Sequence, residues 1–302
     1  MIDIILSSSH HLLFQTTTNL LYSSILLETT MLLPEFEIHY KLIEKLGQGG
    51  FGDVYKCIQR ATGRVYAAKI IENVTRLSVC HRTNTYIPTE VALWRDLRHP
   101  NVIRYLEHFN ENGVWVIVME YLSGYQDLYD YMRRKDKKFD EIRAASIISQ
   151  AISAVNYFKT QCIDHRDLKL ENILYNNKTK QIKIIDFGCA SRITVSAYTT
   201  IQGTQMYYPP EWFAKRSFYS SQGTVWAVGT LAYILLNGCS PFPWKADQHP
   251  TERTFKKLKW RNDSISSIGK KFIKRCLRAK SYERYSLEDM STAKWLTLSN
   301  FV

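Results

Sequence analysis

The chain is poor in the features that mark several protein classes. Its six cysteines (Cys57, Cys80, Cys162, Cys189, Cys239 and Cys276) lie far apart and include no C-x-x-C pair. That argues against a disulfide framework or a zinc site and fits a reducing compartment, the cytoplasm or the nucleus. No uninterrupted apolar run reaches the roughly 18 residues that a membrane helix needs. The first 40 residues contain no Lys or Arg, so the positive n-region of a secretory signal is missing. Internal repeats at solenoid periods and low-complexity tracts are absent as well.

What is present fits a soluble globular protein: 302 residues, 45% hydrophobic and 23% charged, enough to bury a sizeable core. Lys and Arg outnumber Asp and Glu by 40 to 28, a net charge of +12. The excess gathers at Lys256, Lys257, Lys259 and Arg261, and again from Lys270 to Lys280. Such a cluster suits an acidic partner, or it is the solvated face of amphipathic helices. The second reading needs no partner and is preferred. Residues 1–35 mix Ser and Thr with short apolar clusters such as Ile25-Leu26-Leu27. They read as a disordered N-terminal extension, with Met31 as an alternative start.

From Tyr40 onward the pattern is β, with strands predicted over Lys41–Leu46, Asp53–Gln59 and Arg64–Ile71. A short helix is predicted over Thr89–Leu97 after Pro88, then strands over Val102–Phe109 and Val114–Glu120. Beyond Leu122 the periodicity turns helical. Ala145, Ile148, Ala151, Ile152, Val155 and Phe158 recur at three-and-four spacing, one apolar stripe of a helix. Thr224–Leu236 is apolar all round, and Ile265–Leu277 is amphipathic. A β-rich front and a helical rear suggest two lobes, and a crevice between lobes is a natural ligand site.

Four motifs carry chemistry. Gly47-Gln48-Gly49-Gly50-Phe51-Gly52-Asp53-Val54 matches G-x-G-x-x-G-x-V, in which absent Cβ atoms let backbone N–H groups approach phosphate oxygens. A dinucleotide fingerprint needs a helix directly after the glycines, and a strand follows here. Lys69 sits within an apolar strand, where burying an ammonium requires an anion, and Glu90 of the next helix is the candidate carboxylate. His165-Arg166-Asp167-Leu168-Lys169-Leu170-Glu171-Asn172 places a carboxylate, a lysine and an amide at spacings of two and three. Asp167 can take or orient the proton of an attacking hydroxyl, Lys169 can neutralise a moving phosphoryl and Asn172 can ligate a metal. Asp186-Phe187-Gly188 follows the apolar strand Ile182–Ile185, and its carboxylate suits Mg²⁺, which prefers oxygen ligands.

The order of these motifs resembles the protein kinase family over about residues 38 to 297. The resemblance implies an α+β bilobal fold: a small antiparallel β-sheet lobe with one helix (36–121) and a larger, mostly helical lobe (122–302). It implies ATP and Mg²⁺ as cofactors. Gly47, Gly49, Gly52, Val54, Lys69, Glu90, Glu120 and Leu122 would bind ATP, with Lys69 on the α- and β-phosphates and paired to Glu90. Asn172 and Asp186 would hold Mg²⁺, and Asp167 would be the catalytic base. Lys169 and Gly203-Thr204 resemble the serine/threonine branch.

The finer resemblance is to Pim kinases, with PAS-domain kinase near them. Pro209-Pro210-Glu211 stands in place of Ala-Pro-Glu, and Thr224 occupies the position before Val225-Trp226 where most kinases carry an aspartate. Two departures stand out. Leu122 replaces the proline that removes a backbone donor from the Pim hinge, and Leu170 and Cys239 replace two acids that read basic substrates. Asp127, Asp130, Glu171 and Thr204 remain as substrate-binding candidates. The resemblance thus implies protein substrates with Ser or Thr near Arg or Lys, a monomer, no DNA or RNA partner, and activity without phosphorylation of Ser196, Tyr198, Thr199 or Thr200. It also implies a buried Glu211–Arg284 ion pair. The competing readings are a pseudokinase scaffold, whose usual mark is loss of the lysine or of either aspartate, and a basic nucleic-acid-binding module, which lacks a recognised motif.

Overall fold

Alternation of β-branched and aromatic residues between glycine-rich turns builds the first sheet. A computed structural model describes residues 33–49, 52–80, 83–135, 138–242, 252–255 and 258–301. These fall into two compact units, one of residues up to Leu77 together with Arg104–Tyr121, the other of Ser78–Ile103 with Leu122 onward.

In the first unit, β1 (Tyr40–Gly49), β2 (Gly52–Gln59), β3 (Val65–Ile71), β6 (Tyr105–Glu111) and β7 (Val114–Glu120) form one antiparallel sheet in the order β1-β2-β3-β7-β6. The β6–β7 turn uses Asn112 and Gly113, both at positive φ (52° and 83°), the geometry a tight hairpin prefers. One face of the sheet is sealed by Tyr55, Cys57, Ala68, Ile70, Phe109, Val116 and Val118. Helix α1 (Pro34–His39) closes that core. Pro34 occupies its first turn, where no N–H is needed, and the Glu111 carboxylate accepts the free N–H groups of Glu35 (3.0 Å) and Phe36 (2.8 Å). Leu33 and Phe36 are wholly buried, so residues 33–35, expected outside the fold, belong to it. An apolar staple on the sheet is the reason.

The second unit begins with a hairpin that the sequence reading missed, β4 (Leu77–Cys80) and β5 (Thr85–Pro88), followed by α2 (Thr89–Trp94). That helix is shorter than predicted. Past Trp94 the chain leaves through turns at Arg95–Leu97. Trp94 stacks on Phe187 at 5.8 Å and its indole N–H donates to the Ile103 carbonyl. Ile103 N–H in turn donates to Ile184 O. These bonds group 78–103 with the helical unit, against the expectation of one N-terminal lobe spanning 36–121.

The core of this unit is α4 (Glu141–Thr160), capped by Asp140, and α6 (Ser220–Asn237), which is buried over most of its length. α6 ends at Gly238 in the left-handed conformation (φ 73°), the usual glycine stop. α7 (Ser267–Cys276) and α8 (Leu287–Ser291) pack against them, while α3 (Leu128–Lys135) packs on residues 170–175 and α5 (Pro210–Lys215) on Glu252–Phe255. Glu141 ties three elements together by accepting Ser266 N–H (2.9 Å), Ser266 Oγ (2.6 Å) and the Trp295 indole N–H (2.9 Å). The five-stranded antiparallel sheet and the helical unit make an α+β architecture. No helix of the described residues is long and apolar enough to cross a membrane.

Candidate active site

Two short antiparallel strands set the stage. β10 (Ile173–Tyr175) pairs with β11 (Ile182–Ile184), Ile173 opposite Ile184, and Ile185 N–H donates to Asn172 O. Asn172 and the Asp186-Phe187-Gly188 turn therefore lie at the same end of one hairpin. Asp186 has φ 64° and its carboxylate accepts Gly188 N–H at 3.2 Å. Phe187 is buried among His165, Phe158 and Trp94, which anchors the turn. His165 Nε2 lies 3.0 Å from Ile185 O, stitching the preceding loop to the same strand.

Asp167 is the hub of that loop. It is 6% exposed. Its Oδ2 accepts Asn172 Nδ2 (2.9 Å) and pairs with Lys169 Nζ (2.8 Å), and its Oδ1 accepts Thr204 N–H (2.9 Å). Lys169 Nζ also donates to Thr204 Oγ1 at 2.9 Å. Burial pushes the Lys169 ammonium toward neutrality, but the bond to Asp167 and the charges of Asp167, Glu171 and Asp186 outweigh it, so its pKa is raised. The approach of residues 203–204 depends on glycine: a Cβ on Gly203 would lie 2.6 Å from Arg166 O and 2.9 Å from Asp167 Oδ1, and its φ is +91°. Tyr207 braces the two segments, its Oη accepting Leu170 N–H (3.3 Å), and Tyr208 Oη donates to Gly203 O (2.7 Å) within the second. Sequence reasoning passed over both tyrosines because only burial distinguishes them from ordinary loop aromatics.

For a divalent cation the donor set fits. Asn172 spends its amide hydrogens on Asp167 O and Oδ2, and its Oδ1 accepts no bond from the described residues. That oxygen and the Asp186 carboxylate sit at one hairpin end. Two protein oxygens, with waters and phosphates completing the shell, are what Mg²⁺ accepts. No cluster of three or more His, Cys, Asp or Glu side chains among the described residues offers a metal site of another kind.

The remaining predicted residues fall in several places. In the first unit, Lys69 is buried on β3 opposite Val54 and Ile117. Gly47 and Gly49 face Val54 and Gly52 across β1–β2, while Gly50 and Phe51 lie outside the described residues. Gly52 allows the hairpin to press on β3, since a Cβ there would meet Ile70 O at 2.1 Å. Glu120 Oε1 accepts Arg104 N–H at 2.8 Å. In the second unit, Glu90 is 8% exposed on α2, and the Leu122 N–H has no acceptor among the described residues. Asp127 caps α3 by accepting Asp130 N–H (2.8 Å). Asp130 is already paired with Arg133 and Arg134 (3.6 and 3.4 Å). Glu171 is different, because its Oε2 is buried without a partner.

Arg166, at φ 64°, donates to Thr200 O (2.7 Å) and lays its guanidinium 4.2 Å from the Tyr198 ring centroid. Glu211 and Arg284 make the expected pair, bidentate at 2.8 and 2.5 Å, with the Arg284 side chain fully buried over Trp226. Cys189 is buried, and burial followed by the charges of Asp167 and Asp186 raises its thiol to about 11, which makes it inert rather than reactive.

Comparison with known proteins agrees with this geometry. The protein kinase domain family matches residues 40–296. The chain is 33% identical over 276 residues to the serine/threonine-protein kinase pim-2 of Danio rerio, covering 88% of this chain and 87% of that protein. It is 32% identical over 274 residues to death-associated protein kinase 2 of Mus musculus (86% and 72% covered). It is 31% identical over 283 residues to the calcium/calmodulin-dependent protein kinase type II subunit delta of Oryctolagus cuniculus (89% and 51% covered). The chain belongs to the protein kinase family and is a serine/threonine protein kinase.

Proposed function

We propose that this kinase transfers the γ-phosphoryl of ATP to Ser or Thr hydroxyls in basic sequence contexts, in the manner of its Pim-like relatives, and without prior phosphorylation of its own activation segment. The observation that carries the reading is the Asp167–Lys169–Thr204–Asn172 cluster, hydrogen-bonded throughout.

In this reading Asp167 orients the substrate hydroxyl and takes its proton as the oxygen bonds to the γ-phosphorus and the bond to the departing ADP breaks. Lys169 holds positive charge beside the transferring group, where preorganised charge is most effective. Thr204 fixes Lys169 from the other side. Asn172 and Asp186 would hold Mg²⁺, which when bound neutralises phosphate oxygens. Gly47, Gly49, Gly52, Val54, Lys69, Glu90, Glu120 and Leu122 are assigned to ATP on family membership.

The unpartnered Glu171 Oε2 favours a basic substrate, since a buried carboxylate oxygen gains most from a cationic donor. Asp127 and Asp130 contribute less, being engaged in a cap and two ion pairs. Arg166, the cation that would receive an activation-segment phosphate, is already partly engaged: it donates to Thr200 O and faces the Tyr198 ring, while its buried Nε has no partner among the described residues.

Incorporation of radiolabel from ATP into basic peptides, with and without Mg²⁺, tests the proposal. Label that needs Mg²⁺ and is lost in Lys69→Met and Asp167→Asn is the expected result. Wild-type protein that folds but transfers nothing would establish a pseudokinase scaffold, and preference for acidic peptides would remove the assignment of Glu171.

A further inference from the structure

One buried carboxylate has no part in the chemistry above. Asp164 ends β9 (Ile163–Asp164), which pairs with β12 (Ser191–Arg192). It is 7% exposed, and burying a carboxylate is costly unless hydrogen bonds compensate it. Its Oδ1 accepts Arg166 N–H (3.3 Å) and the Thr224 hydroxyl of α6 (3.4 Å). It lines a cavity of about 40 Å³ that Asp167, Thr204, Tyr208 and Ser220 also line.

Arg166 needs such support. At φ 64° it occupies the left-handed region, which residues with a side chain adopt only when held. Asp167 follows directly, so the peptide plane that Asp164 grips sets where the Asp167 carboxylate emerges. We propose that Asp164 is a positioning residue for this loop: by accepting Arg166 N–H and bonding to Thr224, it clamps the left-handed turn to α6 and so places Asp167. This rests on the catalytic reading of Asp167 only for its kinetic consequence. The clamp itself is a statement about the turn.

The geometry also states where the acid could be moved. Thr224 Oγ1 and Asp164 Oδ1 lie 3.4 Å apart, so a carboxylate grown from position 224 reaches the same space.

The experiment compares wild type, Asp164→Asn, Asp164→Leu and the double variant Asp164→Leu/Thr224→Asp by amide hydrogen exchange over 163–168 and by steady-state kinetics. In Asp164→Leu, exchange at Arg166 should rise and kcat fall, each by about tenfold, with the loss of the hydrogen bond that Arg166 N–H donates to Asp164. KM for ATP should stay within about twofold, since uniform binding is untouched. The double variant should recover most of both losses. Exchange and kcat within about twofold of wild type in Asp164→Leu, or no recovery in a folded double variant, would overturn the proposal. Should Asp164→Leu not fold, Asp164→Asn decides: an isosteric amide that accepts more weakly should still speed exchange at Arg166 severalfold, and unchanged exchange sinks the idea. The exchange readout needs no turnover, so an inactive wild type would count against the catalytic assignment alone.

Discussion

At the scale of single residues, the chemistry is concentrated where the backbone is least relaxed. Arg166 and Asp186 both stand at φ 64°, and each flanks a carboxylate-bearing turn. Asp164 connects this strain to pH. Burial raises its pKa above the ordinary 3.8, against weaker lowering by Ser220, Arg166 and His165. The folded protein therefore holds that proton more tightly than the unfolded chain, so stability falls as pH climbs from about 3.8 toward the raised value. Asp164→Asn removes that penalty. Its melting temperature relative to wild type should rise as pH climbs above about 3.8 while kcat drops, a pairing that scanning fluorimetry and the kinase assay would separate from simple loss of structure. Leu122 supports a second prediction. Its N–H is unused, so adenine-mimicking inhibitors should gain one hydrogen bond of about 1 kcal/mol. Leu122→Pro should then weaken them by roughly fivefold; an unaltered inhibition constant would show that the ligand ignores this donor.

Among elements, the segment between Asp186 and Glu211 is held at its far end and near its middle by unlike devices. At its far end the Glu211–Arg284 fork is desolvated, and Arg284 donates further to the Arg278, Ala279 and Gln222 carbonyls. Removing one partner leaves a buried charge, so Glu211→Gln or Arg284→Met should cost about 3–5 kcal/mol in denaturant unfolding. Nearer its middle, Arg166 is stacked on Tyr198 and bonded to Thr200. Phosphatase treatment should accordingly leave turnover within about twofold, since the phosphate-receiving cation is already engaged; a large loss would return the segment to phosphate control. The motifs were legible in the sequence because each needs particular side chains in a fixed order: Asp167, Lys169, Asn172 and Asp186 are found within one unit as their spacing suggested. The β4–β5 hairpin was not, because Leu77–Cys80 and Thr85–Pro88 are only four residues each and leave Leu77, Val79 and Tyr86 exposed instead of facing a core. Asp164 was overlooked for a related reason. An acid between Ile163 and His165 looks like a strand end until its burial is known.

Across the whole molecule, the same limit governs what charge can say. The +12 excess has one described expression in a groove along α7 lined by Lys270, Lys271, Lys274, Arg275 and Arg278. Lys270 and Lys274, like Lys271 and Arg275, repel across one helical turn. Lys270 and Arg275 rest on the rings of Trp260 and Tyr285, and none of the five pairs with a carboxylate among the described residues. If this is a solvated face, Lys270→Glu/Lys274→Glu should leave kcat and KM for peptide unchanged and release the protein from a cation exchanger at lower salt. A large rise in KM would instead make it part of substrate recognition. The chain's β front and helical rear were evident from periodicity, whereas the allegiance of residues 78–103 was not, because it depends on the long-range bonds of Trp94 and Ile103.

The stacking of Arg166 on Tyr198 has a consequence beyond the molecule. An enzyme whose Arg166 already leans on an aromatic ring of its own would not wait for a phosphate on this segment. Under the proposed function, each copy would work from the moment it folds. The cell's means of setting its output would then be how many copies are made and how quickly they are destroyed.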